Sequence, residues 1–322
     1  MRPFLQGSIF LFRKLIRYSC SFGIIVLLVF LLPRMMPGDP VANLVGEDIY
    51  LTDETKETLR AALGLDSPLH EQFVLYSIHL LHLDLGYSYH MHGAVSDILA
   101  DRAGWTLLYI GISIIIGTCT GIYLGARAGF EHETWWSSLI SSLALIISST
   151  PPYLLSLIAM VIFVYHLGWF PFKGFYDTFH ILSIIHHLTL PVLILSVFYA
   201  ARNVLIMRGT VLSEKIQLYP LFARSLGIPE RRILIRHIRK NAIIPLIALI
   251  ALDFGFLFSG ALFIEIVFSL NGMGSLMYDA ILNRDYPVLT GTFLVIAIFV
   301  ICANFIADIL SLALDPRTRS HP

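Results

Sequence analysis

The stretch "YPLFARSLGIPERRILIRHIRKNAIIPL", residues 219–246, crowds arginine and lysine between two strongly apolar lengths of chain. Pro220 suits the first turn of a helix, where its missing N–H costs nothing. Tyr219, Phe222, Ala223 and Leu226 recur at i, i+3, i+4 and i+7, which predicts a short helix with one apolar stripe. Gly227 ends it, as a residue that takes positive φ at C′ without strain. Pro229 and Glu230 open a second helix with Arg232, Arg236, Arg239 and Lys240 on one side, running directly into the next apolar stretch at Ile243. A basic loop beside a membrane ordinarily satisfies topology and meets lipid headgroups, which accounts for Arg232, Arg236 and Lys240. It leaves the apolar stripe unexplained, because such a stripe outside a bilayer needs a partner surface.

The flanking stretches are membrane spans. Of the 322 residues only 14% are charged and 57% are hydrophobic, against roughly 25% charged in soluble domains, and the mean hydropathy is +0.76. The formal net charge is zero, so the overall balance points neither to nucleic acid nor to an acidic partner. Cys20, Cys119 and Cys302 sit singly in apolar segments, without the paired spacing of a disulfide framework or zinc site, and read as lipid-facing or core filler. Arg13, Lys14 and Arg17 precede "CSFGIIVLLVFLL", and no small-residue cleavage site follows; this reads as an uncleaved first span.

Crossing about 30 Å of hydrocarbon takes ~20 helical residues. Segments near 15–36, 104–128, 136–166, 187–209, 242–268 and 288–312 meet that length, which predicts six transmembrane helices. The third contains "SSTPPYLLS", where Pro151 and Pro152 withdraw backbone donors and break the helix. Arg2, Arg13, Lys14 and Arg17, nine cations from Arg202 to Lys240, and Arg317 and Arg319 place both ends and the opening stretch in the cytoplasm. Asp39, Glu47, Asp48, Asp53, Glu54, Glu57 and Asp66 outnumber Lys56 and Arg60 in the first long loop, which therefore lies outside. The chain divides into a cytoplasmic N-terminus and first span (1–36), an extracytoplasmic helical loop (37–103), a five-helix core (104–314) that includes a cytoplasmic basic segment (213–241), and a cytoplasmic tail (315–322). In the loop, "DETKETLRAALGL" predicts a helix with Thr52, Asp53 or Glu54 at its N-cap and Gly64 at its C-cap, and "HEQFVLYSIHLLHLDLG" a second amphipathic piece. Together they predict a small helical cap lying on the membrane. No internal repeat stands out.

Asp253, in "LIALDFGFLFSG", is ionisable at mid-span, where a charge costs ~2.5–3.5 kcal/mol on insertion scales. Either it lines a pathway and favours cationic groups, or it is a hydrogen-bonded or protonated structural carboxylate. Ser149, in the polar patch Ser148-Ser149-Thr150 beside Pro151, either touches cargo or stabilises the kink. Asn304 and Asp308, four apart, can hold each other or a neighbouring helix. His70, His79, His82, His90, His92, His180, His186 and His187 give no closed ligand set, so no dedicated metal site is expected. The chain lacks a Walker A sequence, G-x-S-x-G and H-E-x-x-H, so ATP binding through a P-loop and membrane proteolysis are not expected of it.

Ala223-x-x-x-Gly227 followed by "ERRILIRHIRKNAIIP" resembles the cytoplasmic EAA-type loop of binding-protein-dependent ABC importer permeases, in their dipeptide, oligopeptide and nickel branch. "RMMPGDP", "LGLDSPLHEQF", "LDLGYSY", "HLTLPVLILS", "SGALFIEIVFSLNGMGSLMYDAILNRDYP" and "ADILSLALDPRTR" extend the resemblance over nearly the whole chain. It implies an all-α polytopic membrane protein of the type I ABC importer permease fold, with a small helical extracytoplasmic insert, in a bacterial or archaeal cytoplasmic (inner) membrane. It implies that Tyr219, Phe222, Ala223, Leu226, Gly227 and Pro229 couple the chain to an ATPase, and that Glu265 stands near the mouth of the path; Asp253 and Ser149 are the other candidate pathway residues, on their own residue chemistry. The implied partners are a second homologous permease subunit forming a heterodimer, two cytoplasmic ATPase subunits, an extracytoplasmic substrate-binding protein and membrane lipid, with no nucleic acid. The chain itself would bind no cofactor and catalyse nothing; ATP and magnesium belong to the ATPases. Cargo would be a dipeptide or oligopeptide, with nickel, a metallophore or another small cationic solute as the alternative. Three positions depart from the family: Leu221-Phe222-Ala223 lacks the acidic residue of Glu-Ala-Ala, Pro220 stands where a β-branched residue is usual, and Asp253 replaces an uncharged amide. A stand-alone channel or ion-coupled carrier ranks lower, because only Asp253 is charged clearly at mid-depth and the basic segment would have no use.

Overall fold

A computed structural model describes residues 2–35, 41, 52–62, 66–255 and 257–314. Residues 36–40, Gly64 and the tail 315–322 with Arg317 and Arg319 lie outside the described residues, as do Asp39, Glu47 and Asp48. Helix α1 (Arg2–Met35) precedes α2 (Asp53–Ala62), α3 (Leu69–Leu81) and a minimal antiparallel pair, β1 (Tyr87–Ser88) and β2 (Gly93–Ala94). Then come α4 (Val95–Phe130), α5 (Trp135–Ser149), α6 (Pro152–Ala159, prolonged by a π-helical turn to His166) and α7 (Ile181–Lys215). The opening stretch forms α8 (Leu218–Ser225), α9 (Glu230–Ile233), a π-helical turn (Leu234–Ile238) and α10 (Arg239–Ala242). Helices α11 (Ile244–Gly255), α12 (Leu257–Val267), α13 (Met273–Leu282) and α14 (Tyr286–Leu314) complete the chain.

Among the described residues four helices are long and apolar enough to cross a membrane unbroken, in α1, α4, α7 and α14, and counting each of two bent pairs as one span brings the number to six. The first pair, α5 and α6, turns by 101° at Pro151. The break is satisfied locally: the Pro151 carbonyl accepts from the Leu154 and Leu155 amides, and the Ser148 and Thr150 hydroxyls donate to the Leu145 and Ile146 carbonyls. The second pair bends by 59° between Ile244–Gly255 and Gly260–Val267, so the fifth span is not the single helix expected over 242–268. Nor do residues 230–240 run straight into it, because the π-helical turn and a break at Ile243 intervene. Arg202, counted above among loop cations, lies inside α7.

The centre of the bundle is the contact between α4 and α7, and glycine makes it possible. A Cβ placed on Gly117, Gly121, Gly125 or Gly129 would lie 2.6 Å from the Ser196 carbonyl oxygen, 2.5 Å from Asn203 Cβ, 2.7 Å from the Val204 carbonyl oxygen and 2.8 Å from the Arg208 carbonyl oxygen, respectively. These glycines are spaced four apart on one face of α4, and their partners climb α7 in step. Apolar spans gain little from the hydrophobic effect when they associate in lipid, so close backbone approach and dispersion must hold them. Around this axis, Tyr109, Ile110, Ile114, Leu257, Phe258, Ile264 and Met273 form the main buried core.

Helix α1 is pinned to α14 at Asp308, which accepts from the Tyr18 hydroxyl at 2.6 Å and faces Lys14 Nζ at 2.8 Å. Asn304 instead donates to the Val300 carbonyl, so the two residues do not hold each other. In the long first loop, the Thr52 hydroxyl accepts from the Thr55 amide at the start of α2. Helix α3 is tied to α1 through Arg34 and Gln72 while exposing Val74, Leu75, Ile78 and Leu81.

Gly121→Ala is expected to cost about 1–3 kcal/mol by forcing the two helices apart, and Gly125→Leu to abolish the folded protein. Gly111→Ala, whose Cβ would meet nothing within 4 Å, is expected to be tolerated. Thermal denaturation in detergent, monitored by size-exclusion chromatography, checks the ordering; equal stability of Gly121→Ala and Gly111→Ala would contradict it.

Candidate functional site

Helix α8 closes with the turn expected of it. Gly227 takes φ +74°, its amide donates to the Arg224 carbonyl, and the Ile228 amide donates to that of Ala223. This reciprocal pair satisfies the last orphan carbonyls of the helix. Across the turn Arg224 grips Glu230 through two contacts, at 2.6 and 3.3 Å, and holds its carboxyl below the ordinary range.

The four residues of the anticipated stripe do not share one environment. Ala223 is buried and Tyr219 half-buried, packed with Ala126, Met207, Val211, Ile233, Ile238, Ala242 and Leu246. Burial, then a 2.6 Å hydrogen bond to Glu214, pushes the Tyr219 phenol up to about 12. Phe222 and Leu226 instead point outward, 66% and 64% exposed, and Leu218 and Leu221 join them. The physical reason is the shortness of the helix: two turns have room for one inner face against α4, α7 and α10, and the remaining apolar residues are left outside. Pro229 is exposed at the N-cap of α9.

Polar contacts beside this inner face fasten the segment and the neighbouring spans to one another. Thr210 of α7 donates to the Ala242 carbonyl at 3.1 Å, and Asn241 reaches Glu214 at 3.4 Å. Lys215, at the end of α7, donates to the Phe130 carbonyl at 2.9 Å and so caps the C-terminus of α4.

The other candidates lie away from this segment. Glu265 is fully buried. It accepts from the Thr106 hydroxyl at 2.7 Å, the Tyr109 hydroxyl at 3.1 Å and the Ser275 amide at 2.8 Å, and so ties α12 to α4 and to the start of α13. Gly272 and Gly274 permit the approach: a Cβ on either would meet Glu265 or the Leu262 backbone at 2.0 and 2.5 Å. Asp253 is paired with Arg202 of α7, so Asp253 is not alone among charges inside the spans, as the residue pattern had suggested. Ser149 is exposed at the α5–α6 bend. The cysteines are all exposed on helices. Of the histidines, His79 engages Asp84, His186 the Trp169 carbonyl and His187 the Ser183 carbonyl. Among the described residues no cluster of His, Cys, Asp or Glu could hold a metal ion.

Residues 117–320 match the model of the family described as "Binding-protein-dependent transport system inner membrane component". The chain belongs to this family. It is 35% identical over 299 residues to a Brucella suis protein named as a peptide permease, covering 92% of this chain and 94% of that one. A Brucella abortus protein named as a peptide transport system permease is 34% identical over 297 residues, with 92% and 94% covered. The glutathione transport system permease protein of Salmonella paratyphi A is 31% identical over 310 residues, with 96% and 98% covered. The all-α, multi-pass architecture is that of an inner-membrane permease of this family, and such permeases work with ATPases and a substrate-binding protein. Arg202 and the glycine face of α4 are the structural features that hydrophobic periodicity alone did not reveal; the four-residue spacing of Gly117 to Gly129 was the available signal for the second.

Glu265→Gln keeps acceptors for Thr106 and Tyr109 but turns an amide N–H toward the Ser275 amide. It is expected to cost about 1–3 kcal/mol of stability. A melting temperature in detergent equal to that of the unsubstituted chain would show that the carboxylate is not the tie between α12 and α13.

Proposed function

We propose that this chain is one of two homologous permease subunits, forming a heterodimer, of an ATP-driven importer of dipeptides or oligopeptides. Its place is the bacterial or archaeal inner membrane, with both termini in the cytoplasm, as the distribution of Lys and Arg supports. Two ATPase subunits hold ATP and magnesium, an extracytoplasmic binding protein delivers cargo, and this subunit carries out no covalent chemistry. Peptide cargo is favoured over nickel, a metallophore or another cation because the relatives compared carry names of peptide and glutathione transport.

The observation that carries the coupling role is α8, which has one face locked into the spans and an exposed face of Leu218, Leu221, Phe222 and Leu226. A contiguous apolar face of this kind seats in a partner's groove. ATP binding closes the two ATPases, draws the two short helices of the permease pair together, and opens the path outward; hydrolysis resets it. Asp253, Ser149 and Glu265 are assigned to the neighbourhood of the path, Glu265 by holding its outer end together.

Phe222→Asp leaves the inner face of α8 intact and puts a charge in the docking face. Gly227→Pro cannot take the observed φ of +74°. Both are expected to reduce co-purified ATPase by about tenfold or more and to abolish uptake, while Phe222→Asp alone remains monodisperse. Full ATPase retention by Phe222→Asp would sink the docking assignment.

A further inference from the structure

Arg202 and Asp253 pair across the gap between α7 and α11, within the apolar lengths of both. Arg202 lies about 20 Å along the α7 axis from Lys215, at 1.5 Å rise per residue. The Asp253 side chain is 8% exposed, whereas that of Arg202 is 32% exposed. A single contact joins them, Nη2 to Oδ2, and the buried Nε of Arg202 has no acceptor. The Tyr199 ring lies 6.0 Å from the guanidinium.

This is a poor design for a purely structural tie. A guanidinium meets a carboxylate best through two parallel bonds, and a buried pair offsets its desolvation only when its remaining donors and acceptors are satisfied. Here the guanidinium keeps an unspent buried donor, and one side of it is left uncovered by its own chain. Ionisable groups within spans face a bundle interior or a water-filled cavity rather than lipid. A peptide with free ends presents the complementary charges, an ammonium and a carboxylate, and must shed water at both to pass.

We infer that Arg202 and Asp253 form a divisible charge site for charged peptide cargo: Arg202 receives a carboxylate of the peptide and Asp253 an ammonium, whether at a terminus or on a side chain, and the pair closes again once the peptide has passed. The inference rests on the peptide reading of the transporter. No proton or covalent bond changes hands; two ion pairs replace one and then revert.

The test uses the complete transporter in proteoliposomes with saturating binding protein, and compares uptake of Ala-Glu-Ala and Ala-Lys-Ala per assembled complex. Asp253→Asn should raise the ratio of the acidic to the basic tripeptide by about tenfold, and Arg202→Gln should lower it by a similar factor, equivalent to about 1.4 kcal/mol of differential interaction. A ratio unchanged in both variants overturns the inference and leaves the peptide reading standing. Absence of uptake of either tripeptide by the unsubstituted transporter refutes the peptide reading and the inference with it. Where the single variants fail to assemble, the double variant Arg202→Gln with Asp253→Asn decides, since its amides can keep the hydrogen bond. Slowed uptake of both tripeptides at an unchanged melting temperature supports the site. Undiminished uptake, or slowed uptake with a lowered melting temperature, overturns it in favour of a structural tie.

Discussion

Close approach of two helix backbones, α4 and α7, is the constraint on which the rest of the structure depends. In lipid the hydrophobic effect does not draw apolar helices together, so the contact must be made by shape. Gly117, Gly121, Gly125 and Gly129 remove side chains from one face of α4, and the carbonyls of Ser196, Val204 and Arg208 on α7 come within reach of that face. Every group with a candidate role is then placed relative to this pair. Thr106 and Tyr109 of α4 hold Glu265, Arg202 of α7 meets Asp253, and Lys215 at the end of α7 caps α4 on the Phe130 carbonyl.

The two ends of the axis are finished differently. Toward α13, a buried carboxylate gathers donors from α4 and α13 into a cluster that side-chain motion cannot loosen without stranding a polar group. Toward α8, the fastening is an apolar cluster with a few hydrogen bonds around it, and the exposed apolar residues of α8 face away from it. Packed cores of this kind transmit displacement because they resist compression. The bends at Pro151 and near Gly255 are places where the spans are not continuous rods.

Much of the architecture was legible in the residues. Span number, the break at Pro151, the helix Asp53–Ala62, the short helix Leu218–Ser225 and its termination at Gly227 all follow from length, proline chemistry, capping and helical spacing. These are local properties, set by a few neighbours along the chain. The environment of the α8 stripe was not legible, because periodicity tells which residues share a face and cannot tell which part of that face finds a partner: Ala223 does and Phe222 does not. The pairing of Asp253 with Arg202, 51 positions earlier, was equally out of reach. Both residues were conspicuous as charges, but nothing in their separate surroundings stated that they meet.

Composition and pattern along the chain were enough to put this protein in a membrane, to mark its apolar spans and the break at Pro151, and to show where its cations concentrate. Hydropathy, backbone donors and the cost of buried charge act residue by residue, which is why they can be read in one dimension. Only the tertiary structure decided which glycines became a contact and that Glu265 became a buried tie. It also decided that Asp253 has a cation beside it and which apolar residues of the short helix remain to be covered. Those are properties of distance between segments far apart in the chain, and distance is set when α4 and α7 close on each other.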